Sequence, residues 1–118
     1  MKIGILGVGT ELTTGQISNT NATWFANQFK KMGIETSIHM TVPDEKSLIF
    51  KAFEILSEVC DIIITTGGLG PTSDDFTRQI FSEWSQTPLE WNEDAWKHIH
   101  DRLIPRGIAV KNIQRQQC

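Results

Sequence analysis

Apolar positions along this chain change period several times, and the changes predict alternating strands and helices. Lys2–Leu6 is a short apolar run ending at Gly7-Val8-Gly9, the pattern of a buried strand that empties into a turn. The stretch from there to Thr20 reads as loop, with Thr13-Thr14-Gly15 inside it. From about Asn21 to Met32, Ala22, Phe25, Ala26, Phe29 and Met32 fall on one helical face, and Gly33 is the expected stop. Glu35–Val42 alternates instead, with Ile38, Met40 and Val42 facing one way and Ser37, His39 and Thr41 the other. That pattern predicts a strand with one wet face near a sheet edge. Pro43-Asp44 breaks it, and Asp44 suits the cap of a helix whose stripe is Leu48, Ile49, Ala52, Phe53, Leu56 and Val59.

Ile62–Thr66 shows no alternation, which predicts a central strand covered on both faces. Beyond a glycine-rich loop, Phe76, Ile80, Phe81 and Trp84 mark a third helix. A fourth is expected from a cap at Asn92, with Ala95, Trp96, Ile99 and Leu103 inward and Pro105 to Gly107 ending it. The final Val110–Cys118 is polar and carries no assigned element. Strands alternating with helices require right-handed crossovers and a mostly parallel sheet, so the fold class is α/β with helices on both faces in three layers. Three strands are few for such a domain, and further strands are expected beyond Cys118. Residues 1–118 are then a single domain, truncated at its C-terminus.

Composition narrows the functions. At 118 residues the chain has a common domain size. Its net charge of −3 comes with no basic block, which argues against electrostatic capture of nucleic acid. No apolar run approaches the ~20 residues of a membrane span. Met1-Lys2-Ile3-Gly4 leads straight into a strand, so no signal peptide is expected. Cys60 and Cys118 lack metal-binding spacing, and a reducing cytoplasm fits this cysteine usage.

Ligands in open α/β sheets bind beyond the carboxyl ends of the strands. Three segments leave such ends, Gly7–Thr20, Pro43–Glu45 and Gly67–Asp75, and they are expected to converge on one crevice. The third reads Gly67-Gly68-Leu69-Gly70-Pro71-Thr72-Ser73-Asp74-Asp75. Its glycines let backbone N–H groups approach phosphate oxygens, whereas its acids would repel phosphate unless a cation lies between them. Phosphate handled with a divalent cation, Mg2+ or a transition metal, is the chemistry this combination suggests. A plainer reading makes Asp74 a helix cap and Asp75 a first-turn acid, but that leaves three glycines unexplained.

The loop has no Walker A lysine. The opening Gly4-Ile5-Leu6-Gly7-Val8-Gly9 fails as a dinucleotide fingerprint because Leu12 stands where the third glycine belongs, and no helix is expected directly after Gly9. Asn19 or Thr20 can cap the following helix, while Glu11 has no evident structural purpose. His98 and His100 diverge on their helix, His39 lies on a strand's polar face, and no Ser–His–Asp or Cys–His arrangement is legible.

Thr65 through Thr77 resembles the loop of the molybdopterin-binding (MoaB/Mog/gephyrin-like) domains, and Leu69 is the residue of the CinA (competence/damage-inducible) branch where the molybdopterin enzymes usually carry Thr. Gly9-Thr10-Glu11-Leu12, Gly15-Gln16-Ile17, Asn19-Thr20-Asn21, Val42-Pro43-Asp44 and Pro88-Leu89 are similar to that branch too. The resemblance implies a metal-dependent ADP-ribose pyrophosphatase, often fused to a nicotinamide mononucleotide deamidase domain. It also implies a nucleotide or pterin ligand and a homo-oligomer. Gly67, Gly68 and Gly70, with Thr66 and Thr77, would hold phosphate. Asp44 and Asp75 would bind metal or orient water, and Thr10, Glu11 and Asn21 would line the crevice. Molybdopterin adenylyl transfer, or a non-catalytic pterin- or nucleotide-binding module, is the alternative it leaves open.

Overall fold

The computed structural model describes residues 1–118. Strands β1 (Ile3–Val8), β2 (Thr36–Val42) and β3 (Ile62–Thr66) form one sheet in the order β2-β1-β3, and both pairings are parallel. The α/β class and the edge position of β2 are as expected. The central strand is not: β1 takes that place and β3 lies at an edge, with Ile62 exposed. Sequence periodicity cannot separate the two, because an isoleucine run and a glycine-spaced apolar run both lack alternation. Closeness of packing decides it. Every residue of β1 is buried, and a Cβ on Gly4 would lie 3.0 Å from both the Cys60 Sγ and a Leu56 methyl.

Both faces of β1 are covered. Leu6 and Val8 pack with Val42, with Ile49, Ala52, Phe53 and Leu56 of helix α3 (Lys46–Val59), and with Ile80 of helix α4 (Thr77–Ser85). Burying such side chains stabilises by about 1.5–3 kcal/mol each. Phe53 also stacks on Trp84 at 5.4 Å and meets Phe81 edge-on at 5.6 Å. Gly7 points to the other face, where its missing side chain leaves room for Asn19 and Leu12. Helix α2 (Thr20–Lys31) packs against β1 and β2.

Asn19 caps α2 as expected, its side chain accepting from the Ala22 N–H at 3.1 Å. The apolar stripe of α2 is only half-buried beyond Ala22, and Met32 is 70% exposed. Leu48 and Val59, expected on the buried stripe of α3, are exposed. Asp44 does not cap α3: Glu45 holds that position without a side-chain bond, because the Asp44 carboxylate is turned toward Thr10.

Helix α5 (Glu93–Leu103) is capped by Asn92, which accepts from the Ala95 N–H at 2.8 Å. Ala95, Trp96, Ile99 and Leu103 are half-buried, and no residue of α5 is fully buried. Its partner is the C-terminal segment, whose 3-10 turns span Ile104–Arg106 and Asn112–Gln117. Arg115 spreads over the rings of Trp91 and Trp96 at 4.9 and 5.6 Å. No helix is long and apolar enough to cross a membrane.

Candidate functional site

The segment after β1 is not all loop. A single helical turn, α1 (Thr10–Thr13), starts directly after Gly9, which corrects the expectation that no helix would. Two hydrogen bonds across the strand ends hold it there. The Gly9 N–H donates to the Val42 carbonyl at 2.9 Å, and the Thr10 N–H donates to the Asp44 Oδ2 at 3.0 Å. The Asp44 N–H in turn donates to the Thr10 Oγ1 at 3.2 Å, so Thr10 and Asp44 form a reciprocal clip. Glu11 follows at once, its carboxylate lying against Gly9.

At the end of β3 the chain turns through Gly67 and Gly68, whose φ angles of 87° and 64° lie in the left-handed region. Glycine is required here for a second reason. A Cβ on Gly67 would collide with the Val8 carbonyl, and one on Gly68 with the Thr77 hydroxyl. Thr77 is buried beneath the loop, its hydroxyl donating to the Gly67 carbonyl at 2.8 Å and its N–H to the Gly68 carbonyl at 3.1 Å.

The acids at the end of the loop behave differently from a capping pair. The residue before α4 is Phe76, with no side-chain cap, so Asp74 does not cap that helix and Asp75 is not in its first turn, which corrects the plainer reading. Asp74 is exposed. Asp75 closes its own turn, its Oδ2 accepting from the Thr72 hydroxyl at 2.6 Å and from the Thr72 N–H at 2.9 Å. The Thr72 hydroxyl holds the Asp75 carboxyl below the usual carboxylate range, with smaller help from the Thr72 and Gly70 backbone and from Arg78, against partial desolvation.

A cavity of about 110 Å³ opens between the strand ends. It is lined by Glu11, by Asn19, Thr20 and Asn21 at the start of α2, and by Thr66 and Gly67. At the start of α2 the Thr20 and Ala22 N–H groups are taken by the Ser18 carbonyl and the Asn19 side chain, so the Asn21 N–H and the positive end of the helix dipole are what favour an anion there. The structure thus brings Glu11, Asn21, Thr66 and Gly67 together, with Thr10 and Asp44 clipped behind Glu11. Gly70, Asp75 and Thr77 stand outside this cavity and shape the loop beside it.

Three features go beyond the roles expected from the sequence. Thr72 carries the Asp75 turn, and the Thr-Ser-Asp-Asp string is the pattern of such side-chain turns. Asn19 lines the cavity as well as capping α2. The Lys46 ammonium lies 4.9 Å over the Phe76 ring and joins the start of α3 to the residue before α4, an interaction without a local sequence signal.

The donor set bears on the expected divalent cation. No group of three or more His, Cys, Asp or Glu side chains is arranged to hold an ion, so an all-protein cage does not fit. A Mg2+-like ion carried largely by ligand phosphates and water needs only one or two carboxylates; Glu11 lines the cavity, whereas the Asp44 carboxylate is bonded to the Thr10 N–H and is not in the lining.

Residues 4–117 match the family described as "Probable molybdopterin binding domain". A competence-damage inducible protein of Clostridium botulinum (strain Loch Maree / Type A3) is 43% identical over 118 residues, 100% of this chain and 29% of that protein. A CinA-like protein of Dictyoglomus thermophilum is 39% identical over 110 residues, 93% of this chain and 27% of that protein. The chain therefore spans under a third of the length of these relatives. The crystal structure of CinA from Thermoplasma acidophilum, described as of unknown function, superposes with a TM-score of 0.85 at 32% identity, covering 98% of this chain and 67% of that one. The molybdopterin biosynthesis enzyme MoaB of Thermus thermophilus superposes with a TM-score of 0.65 at 26% identity, covering 70% of this chain and 53% of that one.

Proposed function

We propose, since the chain belongs to the molybdopterin binding domain family and to its CinA-like members, that its crevice binds a phosphate-bearing nucleotide and that its activity is metal-dependent hydrolysis of a nucleotide pyrophosphate such as ADP-ribose. The observation that carries the reading is the cavity where Gly67, the N-terminus of α2 and Glu11 meet. Backbone N–H groups there would receive phosphate oxygens, and the glycines allow the approach. A divalent ion carried by the diphosphate would neutralise its oxygens. Water attacks phosphorus in line, the bond to the bridging oxygen breaks, and AMP and ribose 5-phosphate leave.

Glu11 and Asp44 are the carboxylates that would orient that water or meet the ion. Asp75 has a different part, because its bonds to Thr72 preform the loop. In the whole protein the partner is a further domain, of nicotinamide mononucleotide deamidase type, and the assembly is a homo-oligomer in the cytoplasm. Exposed Trp24 is the candidate anchor for that assembly.

The test is AMP release from ADP-ribose with Mg2+ or Mn2+. Asp44→Asn is expected to lower the rate by about 10²–10⁴-fold, the usual worth of a positioned proton-transfer group. Asp75→Asn is expected to lower it as well, by loosening the loop. Unchanged turnover in Asp44→Asn would remove that residue from the mechanism. The similarity to MoaB favours a second reading, adenylyl transfer to molybdopterin, which predicts molybdopterin-dependent consumption of ATP. Binding of ADP-ribose or molybdopterin without turnover of either would instead make the chain a non-catalytic module.

A further inference from the structure

The largest cavity of the molecule, about 410 Å³, lies at the other end of the glycine loop. Its walls include Pro71 from the loop, His98, Arg102 and Arg106 from α5 and the turn after it, and Gln114 and Gln117 from the C-terminal segment. His98 and Arg102 lie one turn apart on α5, and Arg106 joins them from the 3-10 turn after it. Neither arginine has a compensating partner. The only ion pair in the chain joins Lys51 to Glu54, and no Asp or Glu lines the cavity.

The helix dipole accounts for one basic residue in the last turn of α5, and Arg102 is there. It does not account for Arg106 beyond the helix end or for the two amides. Gln114 accepts from the Lys111 N–H through its oxygen, and its own N–H groups have no partner in the chain. The Gln117 amide donates to the Leu69 carbonyl at 3.3 Å and so joins the cavity wall to the glycine loop. Two guanidinium forks and the Gln114 amide N–H groups give this lining more donors than acceptors, the Gln117 amide oxygen and a His98 ring nitrogen being the acceptors, and such an excess complements an oxyanion.

We propose that this cavity is an anion subsite for a phosphate-class group, separate from the crevice at Gly67. Arg102 and Arg106 hold the anion through forked hydrogen bonds. Its occupancy also ties α5 and the C-terminal segment to the glycine loop through Gln117 and Leu69. The subsite rests on its own lining and does not depend on pyrophosphatase turnover.

The experiment is calorimetric titration of the 118-residue chain with inorganic pyrophosphate and with orthophosphate at low salt. Three proteins are compared: wild type, Arg102→Gln/Arg106→Gln, and Thr10→Ala/Asn21→Ala as the crevice control. The arginine variant is expected to bind about a hundredfold more weakly, about tenfold for each guanidinium removed, with an unchanged circular dichroism spectrum. The crevice variant is expected to stay within roughly twofold of wild type for this site, since distant sites act independently. Arg102→Lys/Arg106→Lys should fall between, keeping the charge and losing the fork. No pyrophosphate binding by wild type, or a loss that follows the crevice variant and spares the arginine variant, overturns the proposal. Absence of AMP release from ADP-ribose, with pyrophosphate binding intact and arginine-dependent, overturns only the turnover reading.

Discussion

Asp75 shows how much a single carboxylate can depend on its own turn. Its sequence neighbours suggest a metal ligand or a first-turn acid, yet its Oδ2 accepts two hydrogen bonds from Thr72. Thr72→Val removes the hydroxyl donor and keeps the shape. The Asp75 carboxyl is then expected to titrate closer to its ordinary value of 3.8, followed by carboxyl-carbon NMR. The sign follows from a folded pKa that is depressed. The turn's contribution is present above the unfolded value of about 3.9 and is lost as pH falls through the lower folded pKa. Below that point wild type and variant should unfold alike, and an unshifted titration in the variant would show that Thr72 does not set the proton affinity. The pair of acids is legible in the sequence, but not its division of labour. Which acid faces inward depends on the dihedral angles of the turn, and four consecutive polar residues offer several closures. Asp44 makes the same point. Its residue type suits a cap, but a Thr10 N–H within reach across two strand ends takes its carboxylate instead.

Caps with a strictly local partner are more legible. Asn19 and Asn92 each accept from the N–H three residues on, a bond that depends on nothing outside the helix turn. Asn92→Ala is expected to cost about 0.5–2 kcal/mol. Since α5 has no fully buried residue, the loss should appear as faster amide exchange confined to its first turns, with little change at β1. Uniform acceleration through the whole chain would contradict that local picture. Strand placement is less legible than strand existence. The runs at β1 and β3 are both visible, and the order β2-β1-β3 is not, because the centre of a sheet is chosen by what packs on both faces. The helical turn at Thr10–Thr13 escapes the sequence for a similar reason: its four residues are too few to show a helical period or to nucleate a helix alone, and the Asp44 clip holds it.

At the scale of the molecule, stability is concentrated on one side. Phe53 lies at the junction of α3, α4 and β1, touching Phe81 and Trp84 within a cluster that includes Leu6 and Val8. Phe53→Ala is expected to destabilise by about 3–5 kcal/mol, read by urea unfolding with tryptophan fluorescence. A loss under about 1 kcal/mol would mean that the cluster collapses into the cavity and that the core is centred elsewhere. The α5 unit, by contrast, is held together internally by Arg115 on Trp91 and Trp96, and the Gln117 amide ties it to the Leu69 carbonyl of the glycine loop. From the sequence alone came the α/β alternation, the caps at Asn19 and Asn92, the edge strand and the glycine loop, because each rests on short-range periodicity, a local hydrogen bond or a backbone conformation that few residues allow. Only the tertiary structure decided that β1 is central, that Asp44 serves Thr10 and Asp75 serves its own loop, and that three basic residues of α5 and its following turn share a cavity with Pro71. Those outcomes depend on which groups from distant parts of the chain come within hydrogen-bonding or packing distance, a competition that local sequence does not record.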